Sequence, residues 1–411
     1  MVCVKNIFAK IRKNSVYLQF LFFTTVTLNF LVETMIVGYD AKRAFKNATG
    51  LGNYSRMLIC GLASHYRDFK AMLYAPKMSG YYQSYFTCYA NVSTRQPRGI
   101  DQWTPNLWRS FGVSMHLKHD KVDIYHGLSH ELPHRIPSSI KKVVTMHDLV
   151  AWRYPQYFRP WDAWMYRLKQ KHSAHIADIV VAISEQTKRD LIDIMHVPEN
   201  KIRVLYQSCD PIFWDPISDE TIADVRERYD LPERYFISVG TIEDRKNQAR
   251  VVEAMKQLPE DAHLILVGHK RGIYGEKVQH DIASYGLSKR VRIIEDAEFE
   301  DFPALYAASC GSVYMSLFEG FGIPILEAMC SGAPVLTSNC SSMPEVGGDA
   351  VLYAAPDDVE AIASQMRRLF DDENLRDMLR TKGHERKMKF SEQHVAEQFY
   401  KLYEELLSEE K

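Results

Sequence analysis

Residues 316–339 read SLFEGFGIPILEAMCSGAPVLTSN, and the order of signals within them decides the fold. An apolar run closes at Ser316 and a glycine-rich loop follows. Pro324 then stands at the opening of a helix, where its missing N–H costs no hydrogen bond. Apolar residues carry that helix to about Ser331, Gly332 supplies a left-handed cap, and Pro334 opens the next apolar run. Strand, loop, helix and strand in so short a span make up the repeating unit of a parallel α/β sheet.

The same alternation extends in both directions. Apolar runs at 235–239, 263–267, 291–294, 312–316, 334–337 and 351–353 read as strands with helices between them, and the tail from Val359 onward reads as helical. A Pro- and Asp-rich stretch, 209–219, interrupts the pattern. Ahead of it lies a second series, with strands at 35–40, 71–74, 122–125, 142–146, 179–183 and 202–205 and helices at 54–66, 103–119, 161–177 and 185–195, the last capped by Ser184. A chain of 411 residues is long for one core. The expectation is therefore an α/β protein of two doubly wound, Rossmann-like domains, 35–208 and 220–390, joined by a linker at 209–219 and followed by an amphipathic helix within 391–411. Ligands of such sheets bind at the carboxyl ends of strands, so the loops there hold the candidate residues.

Composition narrows the classes. Hydrophobic residues at 46% and charged residues at 25% describe a globular chain. Seven scattered cysteines without a C-x-x-C pair argue against a disulfide framework or a zinc site and for a reducing, cytoplasmic setting. The four N-x-S/T triplets then read as chance matches. The net charge of −1 conceals an asymmetry: residues 35–210 carry 24 Lys and Arg against 14 Asp and Glu, and residues 211–411 carry 23 against 37. A basic first half suits an anionic partner, either a membrane surface or a phosphorylated acceptor. No nucleic-acid partner is expected. Residues 1–34 hold Lys5, Lys10, Arg12 and Lys13 before a short apolar run and fit neither domain. They read as an extension upstream of a natural start at Met35, with a membrane anchor as the alternative.

Four loops carry candidate chemistry. In the quoted stretch, Gly320, Phe321, Gly322 and Ile323 lead into a helix whose free N–H groups and dipole suit a diphosphate. Glu327, one turn in, can accept two hydrogen bonds from a vicinal diol, and Glu319 can reach the hydroxyls of a sugar. No Asp-x-Asp pair accompanies these carboxylates, so neither a metal site nor a cofactor is expected. In SVGTIEDRKN (238–247), Arg245 and Lys246 follow a strand and can neutralise a leaving diphosphate. In TGLGNYSR (49–56), Gly50 and Gly52 let backbone approach a ligand, although a simple tight turn explains them equally. This is not the G-x-G-x-x-G fingerprint of nicotinamide enzymes. In VVTMHDL (143–149), His147 lies just beyond a strand, where a structural and a catalytic role stand level.

In this order, EGFGIPILEA (319–328), VGTIEDRKN (239–247) and PEVGGDAVLY (344–353) resemble the family 4 glycosyltransferases, retaining enzymes of the GT-B fold. DAKRAFKNATGLGNYSR (40–56), DIYHGLSHELP (123–133) and TMHDL (145–149) are similar to bacterial members that build surface polysaccharide and lipopolysaccharide. The resemblance covers residues 35–400. It implies that Glu327 holds the nucleotide ribose, Glu319 the donor sugar, and Lys246 and Arg245 the diphosphate. His147 would sit beside the transferred sugar, Gly52 near the diphosphate or acceptor, and the terminal helix would cross back to the first domain. Many members carry Arg directly after the glycine of the strand loop; here Thr241 stands there, which leaves that charge to Arg245.

The reaction so implied moves a hexosyl unit, mannosyl or glucosyl, from a nucleoside diphosphate sugar to a hydroxyl of a lipid-linked or oligosaccharide acceptor. It does so with retention and without metal, at the inner face of a membrane. A sugar-nucleotide epimerase, an inverting transferase on the same fold, or a silent sugar-nucleotide-binding subunit are the alternatives.

Overall fold

In the computed structural model, which describes residues 34–47 and 49–408, the apolar runs become strands of two all-parallel sheets. The first holds β1 (Met35–Asp40), β2 (Phe69–Tyr74), β3 (Val92–Arg95), β4 (Ile124–Gly127), β5 (Lys141–Met146), β6 (Ile179–Ala182) and β7 (Ile202–Val204), in the order β3-β2-β1-β4-β5-β6-β7. The second holds β8 (Tyr235–Val239), β9 (His263–Val267), β10 (Val291–Ile294), β11 (Gly311–Tyr314), β12 (Val335–Ser338) and β13 (Leu352–Ala354), in the order β10-β9-β8-β11-β12-β13. Helices cover both faces, so central strands such as IVVA of β6 and YFISV of β8 are buried throughout and run apolar instead of alternating. The chain reverses direction across each sheet between β1 and β4 and between β8 and β11. Those switch points open the crevices where ligands bind.

Two elements depart from expectation. β3, reading VSTR, is a short and largely exposed edge strand whose single apolar residue gave no periodic signal. The helix expected over 103–119 begins at Pro105 and is broken by a π-helical turn, Trp108–Gly112, before Val113–His119. Residues 1–33, nearly all of the expected extension, lie outside the described residues. Among the described residues no helix is long and apolar enough to cross a membrane.

The Pro- and Asp-rich interruption is well packed. The Asp210 side chain accepts from the Ile212 N–H to cap the turn Pro211–Phe213, Phe213 is fully buried beneath the second sheet, and Ser218 caps the helix Asp219–Arg228. Its composition encodes caps. From there the chain completes the second sheet and then returns to the first. The final helix, Glu392–Ser408, buries Val395, Phe399, Leu402, Tyr403 and Leu406 against β1, β2 and the helix Gly50–His65. Each such side chain contributes roughly 1.5–3 kcal/mol of burial. The Tyr400 ring stacks on Tyr66 at 3.7 Å and its hydroxyl donates to Asp68 at 2.6 Å. The Tyr403 hydroxyl lies 2.7 Å from His126 Nδ1 and 3.2 Å from the Tyr39 hydroxyl. His126 Nε2 continues the chain to Thr145 Oγ1 at 2.8 Å, and Thr145 to the Tyr54 hydroxyl at 2.9 Å.

Candidate active site

The loop after β8 is shaped by glycine and asparagine. Gly240 has φ +130°, and a Cβ there would lie 2.5 Å from Lys246 Nζ, so the lysine folds across a position that only glycine leaves open. Asn247, left-handed at φ 61°, donates to the carbonyls of Met315 and Pro356 at 3.1 and 2.7 Å. This ties the Arg245–Lys246 loop to the end of β11. Arg245 then reaches the glutamate loop: Nη1 lies 2.6 Å from Glu319 Oε2 and donates to the Phe318 carbonyl at 2.7 Å, while Nη2 pairs with Glu243 at 2.8 Å.

Glu319 is therefore engaged before any ligand arrives. Its Oε1 accepts from the Tyr314 hydroxyl at 2.6 Å and from Ser316 at 2.8 Å. Burial pushes this carboxyl up, but Arg245, Lys246 and Tyr314 outweigh burial and hold it at about 2. The loop itself is held by serines: Ser338 donates to the Ser316 carbonyl at 2.6 Å, Ser341 to Glu319 at 2.8 Å, and Ser342 to Glu319 and Phe321 at 2.9 and 2.7 Å. Such a loop is organised in advance.

Glu327 has the opposite electrostatics. It sits in the helix Ile323–Cys330, 8% exposed, with the Tyr306 hydroxyl 3.4 Å from Oε2. Burial raises its carboxyl to about 7, and Lys246 and Tyr306 offset this only in part. The helix is capped by Gly322 at φ 110°, with Pro324 in its first turn, so its N-terminus opens beside Glu319 and Lys246. The Phe321 ring is buried against Tyr206 and Phe390, 6.1 and 5.6 Å between centroids. Only its backbone can meet a ligand. The side chain joins the two crossings of the chain between the sheets.

His147 follows β5 and comes to this loop from the other half. Gly320 packs so closely that a Cβ there would fall 1.9 Å from the His147 carbonyl oxygen. The Gly320 carbonyl accepts from Ser184 Oγ at 2.6 Å, and the Glu345 carboxylate accepts from the Glu185 N–H at 2.7 Å. The imidazole is buried, edge-on to Tyr54 at 4.6 Å, with Nε2 2.9 Å from the Leu128 carbonyl. Burial, aided by His130, lowers its pKa to about 3. The ring is neutral and donates from Nε2, which leaves Nδ1 as an acceptor. Gly52 precedes Tyr54, whose ring packs against His147, on the same helix. It lies in the first turn of the helix Gly50–His65, where a Cβ would fall 1.8 Å from the Asn47 carbonyl oxygen, so its own loop requires glycine there.

The structure thus brings Arg245, Lys246, Glu319, Glu327 and the helix start together, with His147 against Gly320. Tyr306, Tyr314 and the three serines were missed, because nothing in their spacing marks them. Only the fold brings Tyr306 beside Glu327. Such a site can hold an anion on cations and amides while carboxylates meet hydroxyls. Among the described residues no group of three His, Cys, Asp or Glu side chains is placed to hold a metal ion.

The glycosyltransferase family 4 model matches residues 48–212, and that of the glycosyl transferases group 1 matches residues 220–386. Over 294 residues the chain is 33% identical to the O-antigen chain mannosyltransferase B of Escherichia coli, an alignment spanning 70% of this chain and 75% of that protein. Against the O-antigen chain mannosyltransferase RfbU of Salmonella typhimurium the identity is 26% over 57% of this chain and 63% of the relative. Among solved structures, HepE of Anabaena in complex with UDP and glucose superposes with a TM-score of 0.70 at 17% identity, over 90% of this chain and 100% of that one. That last likeness is one of fold.

Proposed function

The chain belongs to the family 4 glycosyltransferases, and from that premise we propose that it transfers a mannosyl unit from a nucleoside diphosphate mannose to a lipid-linked oligosaccharide of O-antigen type, with retention. The observation that carries this reading is the joining of Arg245, Lys246, Glu319 and Glu327 around the start of the helix Ile323–Cys330. The mannosyl assignment follows the names of the two O-antigen relatives.

In this reading Glu327 accepts from the ribose diol, and the donor diphosphate lies on the helix N-terminus and Lys246. Arg245 keeps Glu319 ionised and oriented toward the sugar hydroxyls. His147 Nδ1 accepts from one hydroxyl of the transferred sugar. Glu319 is held by Arg245, Tyr314 and Ser316, which suits orientation better than nucleophilic attack and favours a front-face course. The bond from the anomeric carbon to the phosphate oxygen breaks with its electrons on the diphosphate. The acceptor oxygen bonds the same face of the carbon, and its proton passes to the departing phosphate. Lys246 and the helix amides stabilise the charge that develops. Gly52 and the loop after β1 border the acceptor side.

The test is turnover of GDP-mannose, UDP-glucose and UDP-galactose with a synthetic prenyl-diphosphate oligosaccharide, followed by the anomeric configuration of the product. An α-mannosyl product from the α-linked donor supports the reading. Turnover confined to a non-mannosyl donor overturns the substrate assignment, and a β-linked product overturns retention.

A further inference from the structure

A line of polar side chains runs through the apolar core of the first half, behind the site. Tyr39, Tyr54, His126, Thr145 and Tyr403 are no more than 1% exposed, and each finds its hydrogen-bond partner in the next. Phe69 and Phe399 pack on these rings, 6.4 Å from Tyr39 and 5.8 Å from His126 between centroids. Burying five polar groups in this way adds little net stability over apolar residues of the same shape. What a satisfied buried chain supplies is one defined arrangement.

The two ends of the line belong to different parts of the fold. One end is Tyr403, on the closing helix Glu392–Ser408. The other is Tyr54, on the helix Gly50–His65, whose ring meets His147 edge-on at 4.6 Å. Thr145, in β5, lies two residues before His147, and Tyr54 spans the pair: its hydroxyl is 2.9 Å from Thr145 Oγ1 and its ring lies on the imidazole. The Leu128 carbonyl at Nε2 and the His130 ring at 5.4 Å complete the surroundings of His147. In the middle of the line, burial holds His126 neutral, its pKa lowered to about 3. A neutral imidazole donates from one nitrogen and accepts at the other. The hydroxyls on its two sides, Tyr403 and Thr145, therefore cannot be set independently, and Thr145 in turn sets whether Tyr54 donates or accepts.

We propose that Tyr54 is a positioning residue for His147, and that its setting is fixed from the closing helix by Tyr403 through His126 and Thr145. Docking of the last helix and placement of the imidazole are then coupled. Without the Tyr403 hydroxyl, His126 Nδ1 loses its partner, Thr145 and Tyr54 lose their fixed arrangement, and the ring that steers His147 loosens at its anchored end. At such burial none of the four can touch a substrate, so all act through His147. The inference deepens the proposed function and rests on its placement of His147 beside the transferred sugar. It gives no part to Lys246 or Glu327, so nucleotide binding should be indifferent to it.

The experiment is turnover of GDP-mannose by the full chain with a synthetic prenyl-diphosphate oligosaccharide. GDP affinity is followed by calorimetry, and the His147 ring by its nitrogen-15 resonances, assigned through their absence in His147→Asn. Tyr403→Phe and Thr145→Val should each lower kcat about tenfold, with donor KM and GDP affinity within about twofold of the parent, and should move the His147 signals. Thr145→Ser, which keeps the hydroxyl, should hold both at the parent's values. Tyr400→Phe is the control: it removes another hydroxyl of the same helix, the one donated to Asp68 at 2.6 Å, and should leave kcat and the His147 signals unchanged. Because Thr145→Val already severs the line, adding Tyr403→Phe should lower kcat no further. Equal effects of Tyr403→Phe and Tyr400→Phe, losses that multiply in the double variant, or unmoved His147 signals overturn the inference. A parent that turns over no mannosyl donor counts instead against the proposed function, and the His147 signals of Tyr403→Phe and Tyr400→Phe still decide the inference.

Discussion

Glu327 offers the sharpest test, because its burial links stability, pH and nucleotide binding in one side chain. Raising its carboxyl from an ordinary 4.5 to about 7 amounts to roughly 3 kcal/mol at about 1.4 kcal/mol per unit. The sign follows from proton binding. Between pH 4.5 and 7 the folded chain holds the proton that the unfolded chain has released, so the contribution of Glu327 is present below 4.5 and lost as pH rises through 7. Glu327→Gln removes that dependence. Urea unfolding at pH 8 should then show the variant more stable than the parent by about 3 kcal/mol, and the gap should close toward pH 5. Because the comparison is between variant and parent, the buried histidines, whose dependence has the opposite sign, cancel. Nucleotide affinity should move the other way. Only about a tenth of Glu327 is ionised at pH 6, so calorimetric affinity of the parent should rise about tenfold from pH 6 to 8, while the variant stays weak and flat. Equal stability of the two proteins at pH 8, or a parent affinity independent of pH, would refute the reasoning.

Arg245→Ala leaves the Glu319 carboxylate buried beside Tyr314 without its cation, and the urea midpoint should report a loss of roughly 3–5 kcal/mol; Arg245→Lys should not restore it, because the forked contacts to Glu319, Glu243 and the Phe318 carbonyl need a guanidinium. Gly320→Ala drives a methyl group against the His147 carbonyl, so turnover should fall about a hundredfold while nucleotide affinity by calorimetry changes little. A large loss of nucleotide affinity would show that the contact shapes the donor pocket itself. His147→Asn should lower turnover without moving the acid limb of the pH–rate profile, since the ring is already neutral above about 3; a shifted limb would mean that the histidine titrates in the working range.

The fold was largely legible because its strands are short apolar runs separated by caps that announce themselves. Ser184 does cap the helix Glu185–Asp193, accepting from the Thr187 N–H, and Gly332 is left-handed at φ 74°. β3 escaped because an edge strand of VSTR buries too little to leave a pattern. The packing of 209–219 was not legible, because Pro and Asp serve equally as breakers and as caps. At the site, the charged residues were legible because chemistry restricts them to few types. Their partners were not: Tyr314 and Ser316, just before Glu319 at the end of β11, carry no mark of their role, and Ser341 meets Glu319 only through the return of the chain after β12. The direction of the Phe321 ring was not legible either, since a motif position says nothing of which way a ring turns.

Because the helix Glu392–Ser408 covers the first sheet's core, the first half is completed only after the second has been made. The apolar bed formed by β1, β2 and the helix Gly50–His65 leaves the ribosome early, yet its cover, Glu392–Ser408, follows only after the whole second sheet. At about 5–20 residues per second the bed waits roughly twenty to seventy seconds for it. During that interval the nascent chain presents a sticky surface to its neighbours, and a message cut before residue 392 leaves the first half uncovered. Holding factors that bind exposed apolar chain should therefore be found on stalled nascent chains that end before residue 392, and should leave once the final turns emerge.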